Sequence, residues 1–416
     1  MKVVTDRLSQ NLELGMSRAE GNKHLIKYKF TYTAIIVVVY LLGRNIPLCG
    51  VDTLAYSAVS GNAERLMTQA VGGDVNRYSL FALGISPLMI SSILVQIFSS
   101  IRRSGTGVRI APSKMNRMQL ALTMGLALFQ AVLHVQEMKF RMAGSVLLLT
   151  KAVAVIEMVT GVMVILWLTE RNKKYGFGGQ SVLIYVNVLY GIAATLLRHR
   201  IEVLVLPLAI ALAVMMVTLV MEGAEIRIPL QRISIENIYA DKNYLAIKLN
   251  PVGAMPVMFS AAFFSLPQMA VTLLNRMCPE SGYLTWWHEN LVLTQPLGIG
   301  VYIAILYLLT VGFAMITISP RDIAEQFLKS GDSILNLHAG RDTRRYLTRK
   351  VLSVSFFSAT VMSICIGIPM VLQLKGGIDR ELVMFPASVM MLTGLWYTLY
   401  QEFGSLKSYE AYQPFL

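Results

Sequence analysis

Ten stretches of this sequence are apolar for close to the ~20 residues that a helix needs to cross the hydrocarbon core of a bilayer, and they constrain the fold more than anything else in the chain. Read with a sliding window, they lie at 30–48, 80–101, 116–136, 144–168, 181–197, 201–221, 254–275, 296–318, 351–372 and 383–400. Lipid offers no partner to a backbone amide, so segments of this length are expected to be α-helices that pair their own peptide groups. Composition agrees, with 55% hydrophobic and 15% charged residues against roughly 25% charged in soluble domains. Ten spans of ~20 residues use about half of the 416 residues and leave short connections, which excludes a large domain outside the membrane. Three cysteines, Cys49, Cys278 and Cys365, make no disulfide framework. Residues 1–29 are polar and show no apolar core of a cleavable signal peptide.

An even number of spans places both termini on one side, and the basic residues say which. Most of the 37 Lys and Arg fall on the side of the N-terminus. They include Lys23, Lys27 and Lys29 before the first span, Arg102, Arg103 and Arg109 after the second, and Arg171, Lys173 and Lys174 after the fourth. Arg227, Arg232, Lys242 and Lys248 follow the sixth, and Arg341, Arg344, Arg345, Arg349 and Lys350 precede the ninth. Excess Lys and Arg mark cytoplasmic loops, so both termini are expected in the cytoplasm. The net charge of +13 is therefore spread over short inner loops, and it calls for no nucleic-acid partner.

Three features are unusual for a plain bundle. The stretch 54–73, rich in Ala, Ser and Gly, is too polar to span, and reads either as an external loop or as a re-entrant piece buried in protein. Ionisable groups inside spans are scarce, with Glu157 the one acidic residue clearly within a predicted helix, which disfavours an ion-coupled transporter of small solutes. The loop 318–350 carries a helical pattern from Asp322 to Lys329, then Gly331, and ends in the basic cluster Arg341 to Lys350. That is more structure than an orientation signal needs, and it suggests a docking surface for an acidic cytosolic partner. The five histidines and three cysteines show no metal-ligand spacing, and no phosphate loop, nucleophile elbow or carboxylate pair is present. No cofactor and no catalytic activity are expected, so energy for active transport must come from elsewhere. The 24 methionines, Met89, Met215, Met216, Met255, Met258, Met390 and Met391 near span centres among them, suggest a deformable apolar lining beside the plainer reading as packing residues.

Five segments in order give the chain a resemblance to the SecY family of protein-conducting channels. Ile46 to Asp52 resembles the family's Ile-Pro-x-Pro-Gly-Val-Asp, with Cys49 for the second proline. Leu80 to Pro87 is similar to the opening of its second span, and Trp167-Leu168 with Gly176 to Ser181 to the junction of spans 4 and 5. Arg227 to Gln231 with Leu249 to Pro256, and Pro320 to Gly331, follow the family's two large cytoplasmic loops.

The resemblance implies an all-α membrane protein of ten helices in two inverted five-helix halves, 30–200 and 201–400, with 54–73 as a re-entrant plug. The remainder would be a cytoplasmic segment 1–29, cytoplasmic loops at about 222–253 and 318–350, and a tail 401–416. It implies a lateral gate between spans 2 and 7, and a pore ring carried over to Ile85, Met89, Ile184, Val188 and Met258. Ile85 and Met89 are four apart and share one helical face, and span 10 is expected to add a member. Such a ring excludes water and ions yet yields to a passing peptide. Docking of a SecA-type ATPase is implied for Arg232, Lys242, His338, Arg341, Arg344 and Arg345. Where the family has Arg-Pro-Gly, this chain has His338-Ala339-Gly340, and Gln180 replaces a family glycine. These departures are most like the SecY-type subunit of the accessory Sec system of Gram-positive bacteria. That likeness implies an accessory SecA-type ATPase, a small SecE-like subunit, accessory Sec proteins and serine-rich glycosylated adhesins as secreted substrates. A housekeeping SecY channel for general secretion is the alternative within the same fold.

Overall fold

The computed structural model describes residues 25–52, 78–106, 111–138, 140–141, 145–232, 244–277, 281–334, 337–338, 340–379 and 382–412. Twelve helices and three strands follow along these residues: α1 (Leu25–Arg44), α2 (Ser86–Thr106), α3 (Pro112–Glu137), α4 (Ser145–Tyr175), α5 (Gly179–Arg198), α6 (Ile201–Gly223), β1 (Glu225–Arg232), β2 (Tyr244–Lys248), α7 (Met255–Met277), α8 (Gly282–Asn290), α9 (Pro296–Ile318), α10 (Pro320–Ser330), β3 (Asp332–Ile334), α11 (Arg341–Leu374) and α12 (Phe385–Tyr412). Among them, eight stretches of helix are long and apolar enough to cross a bilayer. The expected spans at 80–101 and 383–400 fall on α2 and α12. The apolar stretch of α2, Ser86–Ser100, is shorter than a full span. Residues 81–91 are all buried, so α2 meets protein where the others meet lipid, and Ser86 and Ser91 are bonded to neighbours.

Helix pairing follows one order twice. α2 packs on α3, α3 on α4 and α4 on α5, with α1 against α4 and α5. In the same way α7 packs on α9, α9 on α11 and α11 on α12, with α6 against α11 and α12. The two sets meet through α2 against α7 and α5 against α12. The buried centre is one apolar cluster drawn from both sets.

Three local differences from the expected spans have physical causes. The second span begins as turns over 78–85, because Gly84 takes a left-handed φ of 54° and Pro87 favours a helix start at Ser86. The basic patch at 341–350 is no loop: it forms the first turns of α11, 34 residues and so about 51 Å long. That exceeds the ~30 Å hydrocarbon core, and the helix must project from the membrane. An antiparallel sheet of order β2-β1-β3, absent from the helical expectation, joins the two large loops, pairing Glu225 with Lys248 and Arg232 with Asp332 at its limits. Ile228, Ile247 and Ile334 are its buried side chains.

The helical pattern expected at 322–329 is α10. Ser319 at φ 44° and Pro320 break it from α9, Asp322 sits in its first turn, and Gly331 at φ 73° closes it. On the other face Ile46 to Asp52 forms a pinned segment. Leu48 N–H donates to Tyr78 O (2.8 Å), Leu80 N–H to Ile46 O (2.9 Å) and Arg141 N–H to Gly50 O (3.1 Å), and Asp52 pairs with Arg141 at 3.5 Å. The plug expected at 54–73 lies outside the described residues; the bonds just named hold its flanks together.

Close approach at one glycine gives a stability test. A Cβ on Gly161 of α4 would overlap the Leu80 carbonyl oxygen, whereas one on Gly125 of α3 would meet nothing within 4 Å. Gly161→Ala is expected to destabilise the purified protein by about 1–3 kcal/mol through overpacking, and Gly125→Ala to leave it unchanged or slightly firmer. Thermal unfolding in detergent, followed by the monodisperse fraction, checks both.

Candidate functional site

The five expected ring residues are all buried and all belong to the central cluster: Ile85 and Met89 are 0% exposed, Ile184 3%, Val188 1% and Met258 4%. Each has a backbone reason for its place. Met89 N–H donates to Ile85 O (3.0 Å), making the pair one turn at the head of α2. Ile184 and Val188 stand one turn apart on α5, and Met258 is in the first turn of α7, its N–H bonded to Ala254 O (3.4 Å). Aliphatic and thioether side chains offer such a centre contact without direction, and Met adapts its shape most readily.

Span 10 was expected to add a member that the sequence did not identify, and the α5/α12 seam shows which residues of α12 stand level with Val188. Phe177 meets Phe403 (6.4 Å between centroids), Gly178 N–H donates to Glu402 Oε1 (3.1 Å) and Tyr185 meets Trp396 (6.3 Å). These pairs run antiparallel, so the level of Val188 falls at about residue 392 of α12. Met391, fully buried, lies at that level, with Leu395 one turn away near the level of Ile184. A pair four apart, like Ile85 and Met89, was the signal available in the sequence.

At the basic end of α11, Arg341, Arg344 and Arg345 are exposed and share a shallow groove of about 670 Å³ with Thr348, Arg349 and Leu352. His338 is exposed just before the helix, and its carbonyl accepts from Thr343 Oγ1 (2.9 Å). Gly340 takes φ 112°, a conformation that glycine alone adopts without strain, and so sets the angle at which α11 begins. Arg232 ends β1 opposite Asp332 of β3, the strand that leads toward this helix. Lys242 lies outside the described residues.

Two buried side-chain networks escaped the sequence reading. Asn172 on α4 accepts from Thr33 Oγ1 of α1 (2.8 Å) and donates to Phe177 O (3.0 Å) and Gly179 O (2.8 Å). Asn250, just before α7, donates to Glu222 Oε1 (2.8 Å) and Gly253 O (3.1 Å) and accepts from Ser358 Oγ of α11 (3.3 Å). The run 201–221 stopped one residue short of Glu222, which is 3% exposed in the last turn of α6. Glu157 accepts the Cys49 N–H (3.0 Å). Among the described residues, no three His, Cys, Asp or Glu group as metal ligands.

Long apolar helices packed around an apolar centre define a helical multi-pass membrane protein, and comparison with known proteins gives its family. Residues 79–400 match SecY. The accessory Sec system protein translocase subunit SecY2 of Leuconostoc gelidum subsp. gasicomitatum is 30% identical over 407 residues, 93% of this chain and 96% of the relative. The same subunit of Streptococcus sanguinis is 29% identical, over 95% and 99%. Among solved structures, one described as a protein conducting channel superposes with TM-score 0.67 at 18% identity, over 92% of this chain and 93% of that one. Sec61 of a canine ribosome-channel complex superposes with TM-score 0.62 at 17% identity, with the same two coverages. The chain belongs to the SecY family, the pore-forming subunits of protein translocases.

The Cys49 contact gives a pH-dependent expectation. A hydrogen bond and the negative charge of Glu157 push the exposed Cys49 thiol above its ordinary pKa, because a carboxylate disfavours a neighbouring thiolate. Glu157→Gln removes that charge, so the thiolate fraction near pH 8 rises and alkylation of Cys49 accelerates, with the rate–pH curve displaced to lower pH. Equal alkylation curves for both proteins would dissociate Glu157 from the thiol.

Proposed function

We propose that this chain is the channel of an accessory translocase in the cytoplasmic membrane of a Gram-positive bacterium. In this reading ten helices, α1 to α7, α9, α11 and α12, cross the membrane as two inverted halves, 30–200 and 201–400, with both termini in the cytoplasm. The repeated order of helix pairing supports the two halves, and the concentration of Lys and Arg in alternate loops supports the orientation. The observation that carries the reading is the single apolar cluster to which α2, α5 and α7 bring Ile85, Met89, Ile184, Val188 and Met258. Those five residues, with Met391 of α12, form the ring that closes the pore, and 54–73 is the plug on its outer side. Separation of α2 from α7 opens the channel sideways to lipid. Apolar segments of a passing chain then partition into the bilayer while hydrophilic ones continue outward.

An accessory SecA-type ATPase supplies the work and docks on the cytoplasmic surface made by Arg232, Lys242, His338, Arg341, Arg344 and Arg345. A small SecE-like subunit and accessory Sec proteins complete the assembly, and the secreted polypeptides are serine-rich glycosylated adhesins. The departure at His338-Ala339-Gly340 and the extent of the match to SecY2 relatives favour the accessory system over general secretion.

Titration of the detergent-solubilised channel against the accessory and housekeeping ATPases of its host is expected to show preference for the accessory one. Charge reversal at Arg341, Arg344 and Arg345 together is expected to weaken that binding by at least about tenfold, with the deficit shrinking as salt rises. Preference for the housekeeping ATPase would make this a general secretion channel. In planar bilayers, Ile85→Ser with Met89→Ser, and separately deletion of 54–73, are expected to make resting channels pass ions. Tight bilayers with both variants would remove the ring and plug assignments.

A further inference from the structure

Helix α8 folds back along the far end of α7. Thr285 Oγ1 donates to Asn275 Oδ1 (3.2 Å), and Thr272 Oγ1 lies 3.4 Å from His288 Nδ1. The two pairs run in opposite senses with the same spacing on each helix, so every residue of α8 has a level on α7. His288 stands level with Thr272, Trp286 with Leu274, and Tyr283 with residue 277, where α7 ends.

That level is the edge of the bilayer by two measures. α7 begins at Met255, and the ~20 residues that cross a core of ~30 Å end near Leu274. The facing helix agrees, because Phe259 meets Phe313 and Phe264 meets Tyr302 in antiparallel order. Pro296, where α9 begins, then stands level with about residue 273 of α7. From His288 to Tyr283 the rise along α8 is about 7.5 Å, close to the roughly 5–8 Å of one headgroup layer.

Composition fits that layer. Tyr283 is 71% exposed and Trp286 47%. Both meet Trp287 edge-to-face, at 6.3 and 5.5 Å between centroids, and Trp287 itself packs inward on the central cluster. The exposed rings are thereby held in direction. Each joins an apolar body to a polar tip, a phenol or an indole N–H, the combination that gathers at membrane–water interfaces. Leu274, at the level of Trp286, is also exposed, so apolar surface continues from α7 to α8. α8 carries no Lys or Arg, and its contact calls for no anionic lipid.

We propose that α8 is an interfacial anchor, with Trp286 and Tyr283 among the headgroups of the outer leaflet, where they fix the depth of the end of α7. The occupant is lipid and not a second copy or a secreted chain, because the rings lie at headgroup depth and their patch continues the exposed side of a spanning helix. A displacement of α7 against α2 then carries α8 along the plane of the membrane, since leaving that plane would strip either the ring bodies or their tips of suitable surroundings. The inference rests on the crossing and orientation of α7, and not on the ring, the plug or the ATPase.

The test compares the full-length channel with its Trp286→Phe variant in phosphatidylcholine vesicles, where the difference in tryptophan fluorescence reports Trp286. Phosphatidylcholine with a nitroxide at the headgroup is expected to quench that difference at least about twofold more than the same lipid with its nitroxide at the end of the acyl chain, and aqueous acrylamide to quench it weakly. Strong quenching by acrylamide with none by either lipid puts Trp286 in water, and quenching by none of the three puts it against protein; each overturns the proposal. Stronger quenching from the chain end buries α8 in hydrocarbon and also overturns it. Trp167 and Trp396, 55% and 57% exposed on α4 and α12, supply signal that remains in the variant. Lipid labels that quench this remainder and spare Trp286 defeat the anchor alone, whereas labels that quench neither defeat the membrane crossing along with it.

Discussion

A peptide group left unpaired in hydrocarbon costs several kcal/mol, and the rest of this structure depends on avoiding that cost. Helices meet it along their length, and the difficulty moves to the corners where one helix stops and the next begins. Two buried asparagines resolve it at two corners. Asn172 caps the turn between α4 and α5 by donating to two of its carbonyls while holding Thr33 of α1. Asn250 does the same ahead of α7, donating to Gly253 O and holding Glu222 of α6 and Ser358 of α11. An amide side chain supplies two donors and an acceptor together, where a hydroxyl has one donor, and both asparagines use all three. Each corner is thereby fixed to the helices around it, and α5 and α7 start from defined points.

From those fixed ends the helices carry an apolar centre of the opposite character. A seal built of hydrogen bonds would have to break them for every substrate, and each buried group left unpaired would cost about 1–3 kcal/mol. The proposed seal of Ile, Val and Met would lose only close contact on parting, and each such contact is worth about 0.1–0.2 kcal/mol. Directional bonds at the corners and undirected contact at the centre are therefore complementary. One fixes where the helices stand, and the other lets what lies between them yield.

How much was legible follows from the same division. Apolar runs fix spans because lipid sets their length, and breakers such as Pro320 and Gly331 bound α10 where a reader expects them. The onset of α2 depended on the left-handed turn at Gly84, which a window average over 80–101 conceals. Basic residues at 341–350 read as a loop because charge masks helical periodicity, yet they continue α11 without a break. The sheet was missed because strands of eight, five and three residues pair across far-separated loops, and no local pattern announces such a partner. Ring candidates could be named only where a motif fixed the register. α12 offered none, and Met391 emerged only from the antiparallel pairs along its seam with α5.

The two places where the helix sets meet are not equivalent. Across α5 and α12 stand a hydrogen bond from Gly178 to Glu402, two aromatic pairs, and Gly178 packed so closely on Leu399 that a Cβ would overlap it. With a hydrogen bond worth about 0.5–1.5 kcal/mol and an aromatic pair about as much, that seam is the costlier one to part. Several side chains of α2 and α7 make specific contacts with other helices. Ser86 and Ser91 bond Gln130 and Thr123 of α3, while Phe259 packs at a tilt on Phe313 and Phe264 edge-to-face on Tyr302, both of α9. Toward each other they bring apolar faces of the common cluster. On the proposed reading, a displacement of one set against the other would part α2 from α7, each moving with the neighbour to which it is bonded, with α5 and α12 as the axis.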